Sequence, residues 1–127
     1  MKFNNFLEEL EKLNLPKKEY AIFGSGPLAV RGLRDSSDLD VIVKEELWEK
    51  LSKKYSLNKN GGLQIGNIEV YNKWLEDKNI NHLIDSAEKI AGYKFVKLEY
   101  VLAWKETMGR DKDKKDVELI KKYLKIN

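Results

Sequence analysis

Two aspartates one residue apart, Asp38 and Asp40, and a later glutamate, Glu69, are the residues of this chain whose types and spacing suit chemistry. Apolar residues that read as strand adjoin them: Leu39 and Val41 beside the aspartates, Ile68 and Val70 on both sides of the glutamate. On a strand, residues i and i+2 project from one face about 6 to 7 Å apart, so both carboxylates can reach one cation. Mg²⁺ takes oxygen ligands and is satisfied by a few carboxylates, with water and phosphate completing its shell. Mn²⁺ is the alternative ion for the same ligands. Separated from Asp38 by twelve residues, Phe23-Gly24-Ser25 forms a turn of the kind that lets backbone approach phosphate closely. Phosphoryl and nucleotidyl transfer build negative charge on phosphate oxygens, and divalent ions are the usual means of stabilising it. The expected chemistry is therefore a nucleoside triphosphate handled through Mg²⁺. Asp38, Asp40 and Glu69 hold metal, or Glu69 serves as base for an attacking hydroxyl, and Gly24 and Ser25 cradle the phosphates.

The neighbouring pattern supplies the elements that position these groups. Glu19 to Phe23 reads as a short buried strand, and Pro27 suits the first turn of a helix that Gly32 ends. Leu39 to Val43 is a second strand. Phe3, Phe6, Leu7, Leu10 and Leu13 predict an N-terminal amphipathic helix, and Leu47, Trp48, Leu51 and Tyr55 another. Asn60-Gly61-Gly62 predicts a hairpin turn between a weak strand near Leu57 and one near Leu63, followed by a strand over 68–71. Ile80, Leu83, Ile84, Ala87 and Ile90 predict a helix, 93–96 a last short strand, and 98–124 two helices split near Gly109. The expected class is α/β (α+β), one domain over 1–127: a small mixed β-sheet of four to five strands flanked by helices, with the core motif in 19–72.

Composition narrows the remaining classes. The chain has 127 residues, 24 basic and 21 acidic, so a net charge of +3 is far from a dedicated nucleic-acid coat. Without cysteine there are no disulfides and no thiolate chemistry. No apolar run suits a membrane span, and the N-terminus turns amphipathic at once instead of forming a signal peptide, so the expected partners include no membrane and the expected location is cytoplasmic.

The run Phe23-Gly24-Ser25, spacer, Asp38-Leu39-Asp40-Val41, then Ile68-Glu69-Val70 resembles the signature of the DNA polymerase β-like nucleotidyltransferase superfamily. The tail Trp104-Lys105 … Gly109-Arg110-Asp111-Lys112-Asp113 … Asp116 is similar to the Lys … Arg-x-Lys-Asp-x-x-Asp tail of many such proteins. The resemblance runs from residue 19 to about 124. It implies transfer of a nucleoside monophosphate from an NTP to a hydroxyl with release of pyrophosphate, and it implies that the tail helices pack near the nucleotide, which brings Lys105 into the nucleotide site. The small size looks like the minimal members of bacteria and archaea, some belonging to toxin–antitoxin pairs, which implies a partner protein from a two-gene module. The acceptor-binding domain of larger members has no counterpart in these residues, so the acceptor is left as protein, tRNA or small molecule.

Other readings stand beside this one. The same fold without the reaction would be a partner-binding protein. Gly24-Ser25-Gly26-Pro27-Leu28-Ala29 also satisfies the Gly-x-Gly-x-x-Ala dinucleotide fingerprint, with Glu45 where a ribose-binding acid is expected. Against the dinucleotide reading, the helix ending near Gly32 is short for a crossover, and Asp38 and Asp40 start the second strand instead of ending it. Arg31 and Arg34 are near enough in sequence to face phosphates, and His82, Trp48, Trp74 and Trp104 read as surface or packing residues.

Overall fold

The computed structural model describes residues 2–73 and 79–126; Trp74, for which packing is expected, lies outside them. Helix α1 (Phe3–Lys12) leads through a single 3-10 turn into β1 (Tyr20–Phe23), the short helix α2 (Gly26–Ala29) and β2 (Leu39–Val43). Helix α3 (Glu45–Ser52) follows, then β3 (Leu63–Ile65), β4 (Ile68–Tyr71), α4 (Ile80–Asp85), β5 (Glu88–Ile90), β6 (Tyr93–Phe95), α5 (Leu98–Met108) and α6 (Asp111–Leu124). The strands form one mixed sheet in the order β3-β4-β2-β1-β6-β5. β1 runs antiparallel to β2, while β2 and β4 are parallel, as are β1 and β6.

The alternation of β2 decides what each face of the sheet does. Leu39, Val41 and Val43 join Phe6, Leu7 and Leu10 of α1 and Leu47 and Leu51 of α3 in one apolar layer. Ile42 faces the other way, into a second layer with Ala21, Phe23, Leu28, Leu83, Val101, Leu102 and Ile120. Asp40, two residues before Ile42, shares that second face by the strand period. β4 repeats the pattern: Ile68 and Val70 enter the first layer, and Glu69 and Tyr71 turn toward the second. A helix pair therefore seals one side of the sheet, and α2, α4, α5 and α6 cover the other, where the acids lie.

The sheet has six strands, not four to five, and the added one corrects the helix expected over Ile80 to Ile90. That helix stops at Asp85. Ala91 and Gly92 both take positive φ, 53° and 87°, and make a two-residue turn that pairs Ile90 with Tyr93. Two left-handed residues match the twist of a hairpin, so edge pairing against β6 outcompetes one more helical turn. On the other side of the sheet, Leu57 and Leu63 make only an isolated bridge, so the expected weak strand near Leu57 is a single contact. The antiparallel β1–β2 pair also removes the dinucleotide reading, which requires a parallel strand after the crossover helix.

Candidate metal and phosphate site

Register brings the acids together. Asp40 lies opposite Glu69 across the parallel β2–β4 pair and opposite Phe23 across β1–β2. Asp38 stands two residues upstream on the same side. One carboxylate oxygen from each of Asp38, Asp40 and Glu69 can be chosen so that all lie within 4.8 Å of one another. None of the ion pairs among the described residues involves these three acids. The electrostatic consequence is a raised proton affinity. Burial pushes Asp40 up to about 7, with the charges of Asp38 and Glu69 adding to it and Lys105 pulling the other way. Asp38 is raised too, by burial and then by its hydrogen bond and repulsion with Glu69, against the opposing charges of Arg34 and Lys112. Three hard oxygen donors with cations nearby but none in direct ion pair with them fit a divalent cation, whose charge replaces the shared protons.

The Gly-Ser turn meets this cluster directly. Gly24 has φ +67°, and a Cβ there would sit 2.7 Å from Oδ2 of Asp40, so a side chain would strain the turn and crowd the carboxylate it closes over. Ser25 Oγ lies 2.6 Å from Ser36 Oγ, and Ser36 Oγ donates to the carbonyl oxygen of Asp38 at 2.7 Å. A carbonyl can only accept, so the single Ser36 proton is committed there and Ser25 is the donor in the pair. Ser25 thus ties the turn to the loop carrying Asp38. To donate to a phosphate, as its expected role requires, its hydroxyl must leave Ser36.

The expected cations separate. Arg34 lines the same cleft, its Nη1 2.7 Å from Asp116 Oδ2. Lys105 is only 5% exposed, with Nζ 3.0 Å from Asp116 and 3.5 Å from Asp113. Arg110 adds a second cation on Asp113 through Nη2 at 3.1 Å. Arg31 goes elsewhere: it bonds Pro27 O at 2.7 Å and Glu88 at 3.0 Å and lies over the Tyr123 ring, outside the residues that line the cleft. His82 reaches the Tyr100 hydroxyl at 3.0 Å, away from the acids.

The resulting cleft has a volume of about 1280 Å³. Its floor is Phe23, set edge-on to Tyr71 at 5.9 Å and to Trp104 at 6.1 Å between ring centroids. α5 and α6 form the far wall because Gly109, in the left-handed conformation at φ 58°, ends one helix and permits the other to turn back on it. Ser36, Asn58 and Tyr71 belong to the site although none is among the residues expected from the sequence. Ser36 stood in plain view in the Asp35-Ser36-Ser37 loop, and Asn58 had an Asx-turn signal in Asn58-Lys59-Asn60-Gly61-Gly62. Compared with family models, with curated proteins and with solved structures, the chain matches none.

Proposed function

We propose that this chain is a Mg²⁺-dependent nucleotidyltransferase of the polymerase β-like type, moving a nucleoside monophosphate from an NTP to a hydroxyl acceptor with release of pyrophosphate. The observation that carries the reading is the convergence, within 4.8 Å, of Asp38, Asp40 and Glu69 beside a turn whose left-handed Gly24 would be strained by any side chain. Asp38, Asp40 and Glu69 are the residues that would hold the metal. Bound there, a divalent ion supplies Lewis-acid stabilisation of charge developing on phosphate oxygens. The chain's own part is to orient. The Gly24-Ser25 turn presents backbone to the triphosphate from the same side as the carboxylates, and the wall of α5 and α6 closes the cleft behind it. Arg34, held by Asp116 at the rim of this wall, is the cation nearest in role to a phosphate clamp. The cleft volume, about 1280 Å³, exceeds that of typical small-ligand sites, about 300–1,000 Å³, so a nucleotide leaves room for an acceptor group.

Calorimetric titration of Mg²⁺ with a non-hydrolysable NTP, for the wild type and for Asp38→Asn/Asp40→Asn, tests the reading. Metal-dependent nucleotide binding in the wild type and its loss in the variant are expected. Equal nucleotide affinity in both would sink the proposal. Binding without any transfer product, whatever acceptor is offered, would instead favour the partner-binding reading on the same fold.

A further inference from the structure

Glu69 differs from Asp38 and Asp40 in how it is held. Its Oε1 accepts a hydrogen bond from Asn58 Nδ2 at 3.0 Å and another from the Tyr71 hydroxyl at 3.2 Å. The orientation of the Asn58 amide is fixed by its other partners. Its Oδ1 accepts the backbone N–H groups of Asn60 at 2.9 Å and Gly62 at 3.0 Å, so the nitrogen must point toward Glu69. The second Nδ2 hydrogen goes to Gln64 Oε1 at 3.1 Å, and Gln64 is itself set by donating from Nε2 to Gly66 O at 2.8 Å. All four hydrogen-bonding positions of Asn58 are thereby used. On the other side, the Tyr71 ring is held edge-on by Phe23, which aims its hydroxyl.

Two donors on Oε1 occupy its lone pairs and leave Oε2 as the oxygen of Glu69 that can meet Asp38, Asp40 or a shared cation. We propose that Asn58 and Tyr71 are positioning residues for Glu69, holding its carboxylate in the one rotamer that turns Oε2 toward Asp38 and Asp40 as the third ligand of a divalent cation. The proposal rests on reading the three acids as a cation site. It gives the loop over residues 57–62 a task beyond joining α3 to β3: the turn that Asn58 caps is also the strut that aims a ligand. Donors that orient a ligating carboxylate from outside the first shell set affinity as well as geometry, typically by about 10–100-fold.

The test uses Mn²⁺ as probe, with its binding and bound-water number read by electron paramagnetic resonance. Tyr71→Phe removes one donor and keeps the ring contact with Phe23. Asn58→Ser removes the other while retaining a hydroxyl that can cap the turn. Together they are expected to lower Mn²⁺ affinity by about 10–100-fold and to add water to the bound ion, with the metal-free melting temperature read in parallel. The same pair placed in a Glu69→Gln background is expected to cost nothing further, because both donors act through Glu69. Wild-type protein that binds no Mn²⁺ would overturn the cation site and this proposal with it. Wild-type binding with unchanged affinity in the double variant would overturn the positioning role alone. An equal loss with and without Glu69 would overturn it as well, by showing a defect transmitted through the fold.

Discussion

Two groups of acids line the same cleft and behave in opposite ways. Asp113 and Asp116 are the more buried, 2% and 3% exposed, and take part in ion pairs with Lys105, Arg34 and Arg110. Burial alone would raise Asp113, yet the hydrogen bond from Arg110 and the charges of Lys105 and Arg110 outweigh it and leave it lowered. Asp38 and Asp40 are less buried and yet raised, first by desolvation and then by the neighbouring acids, each other and Glu69, which the opposing cations do not outweigh. The number of carboxylates in a cleft therefore says little about metal. Their local cation balance decides: Asp113 and Asp116 are already neutralised and brace α5 against α6, while the triad is left in want of positive charge.

That contrast breaks most sharply at Lys105. Lys105→Ala leaves Asp116 with a single half-exposed partner and Asp113 with Arg110 alone, and is expected to cost about 3 kcal/mol in urea unfolding, as losing one member of a buried ion pair does. Gly24→Ala is expected to cost about 2 kcal/mol, from the strain of a side chain at φ +67° and its clash with Asp40, and to abolish divalent-ion binding in a titration.

Asp40→Asn sharpens the other half of the comparison because it should not destabilise. The folded carboxyl titrates at about 7 against an ordinary 3.8, so between those values the folded state holds more protons than the unfolded one. Stability from this group is full below about pH 4 and is lost as pH rises through about 7. The asparagine variant is expected to be more stable than wild type at pH 8 by about 1–3 kcal/mol and to flatten that decline, as followed by denaturant midpoints across pH. Cation affinity runs the opposite way and should climb from pH 6 to 8, since the ligand must lose its proton to bind. The smallest effect belongs to Arg31→Ala. It is expected to lower stability by about 1 kcal/mol through its contacts with Pro27 and Glu88, and to leave nucleotide titrations unchanged.

Much of the fold was legible because the apolar periods are strong. The alternation in Leu39–Val43 and Ile68–Tyr71, and the helical spacing in Phe3–Lys12 and Asp111–Leu124, match the elements found. The misreading at Glu88–Ile90 has a physical source. Ile84, Ala87 and Ile90 fit a helical period, and a three-residue edge strand gains its stability from β6, a partner that local sequence does not contain. Arg31 and Arg34, three residues apart and alike in type, show the same limit within the site. Gly32 turns the chain between them at φ +74°, sending Arg34 to Asp116 and Arg31 to Glu88.

By itself, the sequence determined which residues carry charge, where the turns must fall and which side of each strand is polar, because these depend on side-chain type and on the strand period. Gly24, Asp38, Asp40 and Glu69 were visible on that basis alone. The tertiary structure decided which carboxylates keep their charge unpaired. That depends on the register of β2 against β4 and on helices α5 and α6, distant in sequence, carrying Lys105 and Arg110 to Asp113 and Asp116 and leaving the triad to itself. Electrostatic energy depends on distances in space, and only the assembled sheet and its helical wall set those distances.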